Sequence, residues 1–517
     1  MRETDWLKDT VRLCNADDLS ERSAEFEVLR KQYHGFSEKE RNTIRNVIKK
    51  VFGINDRIYI YSIVMNYMPH AEFAEDMMDA FIENNFNPYV GSMLEYQTYR
   101  IYDYVKYLYK KRRIFHKKNV QGFDDFLSID YPYIKPADRN KKKIVFVAEH
   151  MLSYYHAPSK MAVDFMLALK KIGYEIFVFL CPNDNGLPDG LWHGVQGSNT
   201  SEALKNGMWK IKYQGSFFEG YQINMDESGI KEYRMMLSII YAWNPMFVFA
   251  LGVSNPVIDL AGKFTTLVAG EVSTACPVSE GKILLRLDRG EEELEQEYAK
   301  VLKEENQTQI FMEEKMPVVI QNSTSDYTRA DAGLPEDRFL AAIVGNRLDQ
   351  ELKDDFVEVM YSMLEKIPNL DFVIIGEVSK AREKLADCRY ENRIHFLGFR
   401  EDLMQVYRIL DLYINPERHG GGFSSAMALN AGIPVVTLPD CDVAYNAGEE
   451  FIVKDYGSMT EAVEKYANDK EFYNQKTAAA NRNAEKNTDQ KLMEYMETLV
   501  DHVVRLIYEE EEKNDCI

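Results

Sequence analysis

NPERHGGGFSSAMALNAGIPVVT, residues 415–437, is the stretch on which the fold of this 517-residue chain turns. It reads as the end of one strand (DLYINPE), a glycine-rich turn, a short helix stopped by Gly432, and a second strand, IPVVTLP. Three consecutive glycines, Gly420, Gly421 and Gly422, permit positive φ and let a ligand approach the backbone closely. A helix beginning near Ser424 or Ser425 offers unsatisfied N–H groups and the positive end of its dipole, an arrangement suited to a pyrophosphate. Phe423 stands between turn and helix, and Ser424 and Ser425 are placed to cap that helix or to donate to phosphate oxygens. Such a turn also occurs without a ligand. Its setting between two apolar runs of strand character favours the ligand reading.

Working outward, the same texture repeats. FLAAIVGNRL (339–348), LDFVIIGE (370–377) and RIHFLGF (393–399) are short apolar runs separated by DDFVEVMYSMLEKIP and EDLMQVYRIL, which carry helical spacing. Strand, helix, strand repeats imply a parallel sheet covered on both faces. Within VGNRLDQELKDDF (344–356), the strand-end residues Gly345, Asn346 and Arg347, followed by Lys353, can present cations to a diphosphate. An earlier α/β series runs through KKKIVFVAEH (141–150), HAPSKMAVDFMLALKKIGY (156–174), YEIFVFLCP (174–182), NPMFVFALG (244–252) and TTLVAGE (265–271). Irregular texture from Val272 to Asp326 separates the two series, so two domains are expected rather than one large one. Doubly wound sheets bind ligands beyond the carboxyl ends of their strands. The cleft between two such domains is therefore the expected site.

The remainder of the chain is simpler. Residues 1 to about 115 read as successive amphipathic helices, such as EFEVLRKQY and AEFAEDMMDAFIENN, and residues 113–143, rich in charge and turn formers, read as a linker. The expected order is helical domain and linker (1–135), first α/β domain (140–325), second α/β domain (326–487) and a last helix returning to the first half (488–517). Apolar residues make up 45% and charged residues 28%, as in a soluble globular protein. A net charge of −21 argues against nucleic acid as a partner. Six scattered cysteines without a CxxC pair, and no signal peptide or membrane-length apolar run, point to a reduced, cytoplasmic protein with no transmembrane segment.

Both elements, their order and their separation resemble the C-terminal domain of GT-B glycosyltransferases, and the texture from about residue 140 to 510 resembles the whole fold. In the large retaining branch, the strand-end Arg and a later Lys bind the donor diphosphate. The resemblance gives those roles to Arg347 and, with one extra residue of spacing, Lys353. It gives the nucleotide-base loop to Leu397, Gly398 and Phe399. That branch carries two glutamates flanking the glycine turn. Here their positions fall on His419 and Met427, and Glu417 is the nearest substitute for the first. GGFSSAMALNAGIPVVT is similar to the turn of O-GlcNAc transferase and related bacterial cytoplasmic protein glycosyltransferases, which place a helical region before a GT-B core.

The implied activity is transfer of a hexose or N-acetylhexosamine from a nucleotide-diphosphate sugar, uridine-linked, to a polypeptide or glycan acceptor. No metal cofactor is obligatory in this fold, so Asp440-Cys441-Asp442 reads as a chance DxD. The first α/β domain should supply the acceptor side of the cleft. His150, His156, Pro158 and Ser159 lie on the loop after its first strand, where a histidine can act as base or touch the sugar. Glu271 ends a later strand. The catalytic candidates are His156, Glu417 and His419. The absent carboxylates motivate an alternative, a catalytically degenerate GT-B protein serving as a binding subunit or chaperone. A homo- or hetero-oligomer is compatible with either.

Overall fold

The computed structural model describes residues 2–16, 19–84, 86–149, 151, 156–181, 207–223, 229–252, 255–272, 275–287, 289–320, 326–386, 389–418 and 420–515. His150 and His419, both candidates by sequence, lie outside these residues.

Two separate sheets form the α/β part. The first contains β1 (Asn140–Ala148), β2 (Glu175–Leu180), β3 (Gly207–Tyr213), β4 (Ser216–Gln222), β5 (Pro245–Leu251), β6 (Leu267–Gly270), β7 (Ile283–Arg286) and β8 (Thr308–Phe311). Its spatial order is β3-β4-β2-β1-β5-β6-β7-β8, parallel throughout except for the β3–β4 hairpin. The second contains β9 (Phe339–Val344), β10 (Leu370–Ile375), β11 (Ile394–Gly398), β12 (Leu412–Ile414) and β13 (Val435–Val436), in the parallel order β11-β10-β9-β12-β13. Strands such as PMFVFAL and LDFVII are buried along their whole length because helices cover both faces. Each sheet therefore has a core on either side. Each also reverses its winding once, between β1 and β5 in the first and between β9 and β12 in the second.

The expected α/β architecture, two Rossmann-like domains behind a helical N-terminal region, is what the structure has. Two segments differ from expectation. The charge-rich linker begins instead as a helix of 19 residues, Tyr109–Leu127. Its charges mislead because Arg112, Arg113, His116 and Asn119 are buried polar residues rather than solvated ones. The supposedly irregular segment 272–326 holds β7, the helix Glu292–Glu304 and β8, which complete the first sheet. These strands are four residues long, too short for their periodicity to show.

The last helix, Asp489–Asp515, crosses back to the first domain. Leu492, Tyr495, Met496, Leu499, Val500, Val503 and Ile507 form its apolar stripe, repeating at three- and four-residue intervals. They are buried in the same core as Phe165 and Leu169 of the helix Ala157–Lys171 and Phe249 of β5.

Candidate functional site

One continuous cleft, with a volume of about 1730 Å³, lies between the two α/β domains. Pockets for a single small ligand usually measure about 300–1,000 Å³, so two substrates fit. Its walls are the carboxyl ends of the strands at which each sheet reverses. The first domain contributes Glu149 after β1 and Gly252 after β5, and the second contributes Gly345–Arg347 after β9 and, after β12, Pro416–Arg418 and Gly420–Ser424. This is where doubly wound sheets open a crevice for ligands.

The glycine turn is built by backbone conformation. Gly420 and Gly421 adopt φ of 115° and 85°, in the left-handed half of the map. The helix Gly422–Asn430 therefore starts immediately after Gly421, two residues earlier than the serines suggest, and no side chain caps it. Its first internal hydrogen bond is Ser425 N–H to Gly421 O at 2.8 Å. The N–H groups of Gly422, Phe423 and Ser424 precede that bond, and these three residues line the cleft. Ser425 does not. It is fully buried, and its hydroxyl donates to Gly422 O at 2.8 Å, so its assignment as a phosphate donor is corrected. A serine one position further along a helix turns to the inner face.

Arg347 and Lys353 enter the same cleft. Arg347 has 65% of its side chain exposed, and a Cβ added to Gly420 would lie 3.1 Å from its Nη2. Lys353 precedes the helix Asp354–Lys366 at its N-cap, and its Nζ stands 3.7 Å from Glu417 Oε1. Both partners are more than half exposed, so the pair adds little stability. It does bring a cation of one element to a carboxylate of the other. Gly345 and Asn346 line the cleft beside Arg347. Phe399 and Arg400 continue that wall from the end of β11, while Leu397 packs into the core and Gly398 turns the chain at φ 66°.

Arg418 is the residue that the sequence did not single out. Its guanidinium is almost completely buried between β9 and β12. Nε donates to Asn415 Oδ1 (2.8 Å), Nη1 to Glu351 Oε2 (2.6 Å), and Nη2 to Val344 O (2.7 Å) and the Tyr413 hydroxyl (3.0 Å). Burial pulls its pKa down, and Tyr413 and Glu351 outweigh that, leaving it above the usual arginine value. It is flanked by two glycines. A Cβ on Gly345 would come within 2.5 Å of Nη1, and one on Gly421 within 2.8 Å of Nη2. These two glycines are thus required by an internal arginine, whatever the cleft holds. Glu351 lies 67 residues away in the chain, so no local motif announced the pairing.

The first domain faces this turn with the helix Ala157–Lys171. His156 is its N-cap residue, lines the cleft, and shares a 2.8 Å hydrogen bond between Nδ1 and Ser159 Oγ. Lys160, with 2% of its side chain exposed, pairs with Asp164 and lies 5.3 Å from the Phe423 ring centroid, across the cleft. Burial pulls the lysine pKa down and pushes the aspartate up, each opposed by the partner's charge. Glu271 is buried and Val272 takes its place on the wall. Met427 also lines the cleft from within the apolar core. The helical domain reaches the far end through Tyr96, Tyr102, Tyr104 and Lys106. Asp440, at φ 56°, and Asp442, which begins the helix Asp442–Ala447, border the glycine turn.

Residues 339–469 match the family described as Glycosyl transferases group 1. A lipopolysaccharide core biosynthesis mannosyltransferase from Rhizobium meliloti is 29% identical over 123 residues, which cover 22% of this chain and 35% of that protein. The chain thus matches about a third of that relative's length. Among solved structures, an O-GlcNAc transferase mutant from Thermobaculum terrenum superposes over 98% of both chains with a TM-score of 0.50 at 10% identity. A glycosyltransferase from Rickettsia africae covers 71% of this chain and 99% of its own with a TM-score of 0.50 at 12% identity. The shared feature is the fold, which is GT-B: two Rossmann-like domains facing a cleft. Among the described residues no helix is long and apolar enough to cross a membrane.

Proposed function

We propose that the protein is a glycosyltransferase that moves a hexose or N-acetylhexosamine from a nucleoside diphosphate sugar, uridine-linked, to a glycan or polypeptide acceptor. The observation that carries this reading is the meeting, in one cleft, of the Gly420–Ser424 helix start with Arg347 and Lys353. N–H groups and cations that face one cleft stabilise the charge that develops on a departing diphosphate. The match of the donor-side domain to Glycosyl transferases group 1 supports the donor class, and the mannosyltransferase relative supports a hexose. Phe399 and the β11 end border the base. His156 and Glu417 face the reacting sugar from opposite walls, with His419 two residues after Glu417 in the chain. The acceptor occupies the remaining volume toward Tyr96, Tyr102 and Tyr104. Cys14, Cys181, Cys276 and Cys441 are free, buried thiols, which supports action in the reducing cytoplasm.

The test is a thermal-shift panel of nucleotide sugars, followed by calorimetry with UDP and an assay of UDP release. UDP is expected to bind, and Arg347→Ala to weaken it by about 1–3 kcal/mol, the range for a lost charged hydrogen bond. Absence of UDP binding in the wild type overturns the donor assignment. Unchanged affinity in Arg347→Ala overturns the placement of the diphosphate. Binding without turnover on any donor would leave a binding protein rather than an enzyme.

A further inference from the structure

Three charges run in a line beneath the glycine turn. Buried Arg418 donates through Nη1 to Glu351 Oε2 at 2.6 Å, and exposed Arg347 places Nη2 3.1 Å from Glu351 Oε1. Exposure falls along the line, from 65% at Arg347 to 12% at Glu351 and 3% at Arg418. We propose that Glu351, held by Arg418, is a positioning residue that fixes Arg347 over Gly420 before the diphosphate arrives. The ligand in this proposal rests on the donor reading above; the positioning itself does not.

The argument is one of mobility. Arg418 is tied at once to β9 and to β12 and packs against Gly345 and Gly421, so it cannot turn away. Glu351 cannot leave it without stranding a buried cation, which is a large cost. The outer oxygen of that immobile carboxylate is therefore a fixed anchor for Arg347. An exposed arginine otherwise samples many rotamers and must lose them on binding. The anchor also opposes the ligand by competing for Arg347, but exposed ion pairs are weak and a diphosphate carries more charge. Preorganisation is thus the larger effect, and Glu351 should help binding rather than hinder it. A lone carboxylate near a donor-site arginine would give the opposite sign. The buried Arg418 behind Glu351 makes the difference.

Two measurements test this. In the donor-free protein, labelled with nitrogen-15 arginine, the Arg347 Nε–H signal should report a restricted side chain and become that of a freely rotating one in Glu351→Gln. A glutamine can still accept from Arg418 but then presents its NH₂ to Arg347. A freely rotating Arg347 in the wild type overturns the proposal, and that holds even if the variant fails to fold. In calorimetry with UDP, Glu351→Gln should bind about tenfold more weakly, one charged hydrogen bond's worth. The same change in an Arg347→Ala background should have no further effect, since Glu351 acts only through Arg347. Tighter or unchanged binding in Glu351→Gln overturns the proposal, as does a loss that adds to that of Arg347→Ala. If wild-type UDP binding is absent while Arg347 is ordered and released by Glu351→Gln, the donor reading fails and the positioning stands.

Discussion

Gly421 illustrates how one atom can decide a site. At φ 85° an alanine would sit in the left-handed region, which costs about 1–2 kcal/mol. Its Cβ would also press on Arg418 Nη2, the Tyr413 hydroxyl and Asn415 Oδ1 at 2.8–3.0 Å. Gly421→Ala is therefore expected to lower the melting temperature by roughly 2–8 °C from the backbone term alone, and to weaken UDP binding with it. Gly173, at φ 92° with nothing within 4 Å, is the control: Gly173→Ala should cost the backbone term and leave UDP affinity unchanged. Equal loss of UDP affinity in both would remove the special role of the turn. At this scale the positive φ of the glycines and the place of Arg347 at a strand end on the cleft were legible, because both follow from residue type and neighbours. Arg418 was not, because its meaning comes from Glu351 and Val344, 67 and 74 residues away, which only the fold assembles. Ser425 was misread for the related reason that sequence does not show which helical face turns inward.

The helix Tyr109–Leu127 makes the same point for an element. Its polar face looks solvated in the sequence but is the seam to the first α/β domain. His116 is fully buried and bridges Glu95 (Nδ1, 2.5 Å) and Asp259 (Nε2, 2.6 Å). Burial alone would lower its pKa; Glu95 and Asp259 together outweigh burial and raise it to about 10. The imidazolium thus joins the helical domain to the helix Pro256–Asp259. A raised folded-state pKa stabilises fully below the unfolded value near 6.5, less and less between there and about 10, and not above. The wild type should accordingly lose up to ~1.4 kcal/mol of stability per pH unit across that window from this group. His116→Leu strands two buried carboxylates, so it is expected to be less stable at neutral pH by about 3–5 kcal/mol and to lack this slope. Parallel pH dependence in denaturant melts of the two proteins would refute the bridge. Helices with a clear apolar stripe, such as Glu38–Val51 with Ile44 and Ile48 inward, were readable by periodicity; one whose charges are internal ligands for another domain was not.

At the level of the whole molecule, the helical domain and the first sheet form one unit. Arg113 with Glu280 and Gln307, Lys106 with Glu291, and Tyr109 with Pro277 O tie them along the Tyr109–Leu127 helix. The helix Asp489–Asp515 completes that unit from the far end of the chain. Burying its seven apolar side chains at about 1.5–3 kcal/mol each amounts to on the order of 10 kcal/mol, comparable with the whole stability of a domain. A chain shortened to residue 487 should expose that core, bind a hydrophobic dye and aggregate on size-exclusion chromatography; a monodisperse, dye-negative product would contradict this. The two-sheet plan was legible because strand and helix texture repeats locally. The seams between domains were not, since each pairs residues that are far apart in sequence. That last helix also imposes an order in time. Some 182 residues separate Ile310, in the first sheet's final strand, from Leu492, and a ribosome adds about 5–20 residues per second. The second α/β domain can close as soon as it has emerged. The first must wait roughly 10–40 s longer for its missing layer, an interval in which a nascent chain with an open apolar face is a client for chaperones.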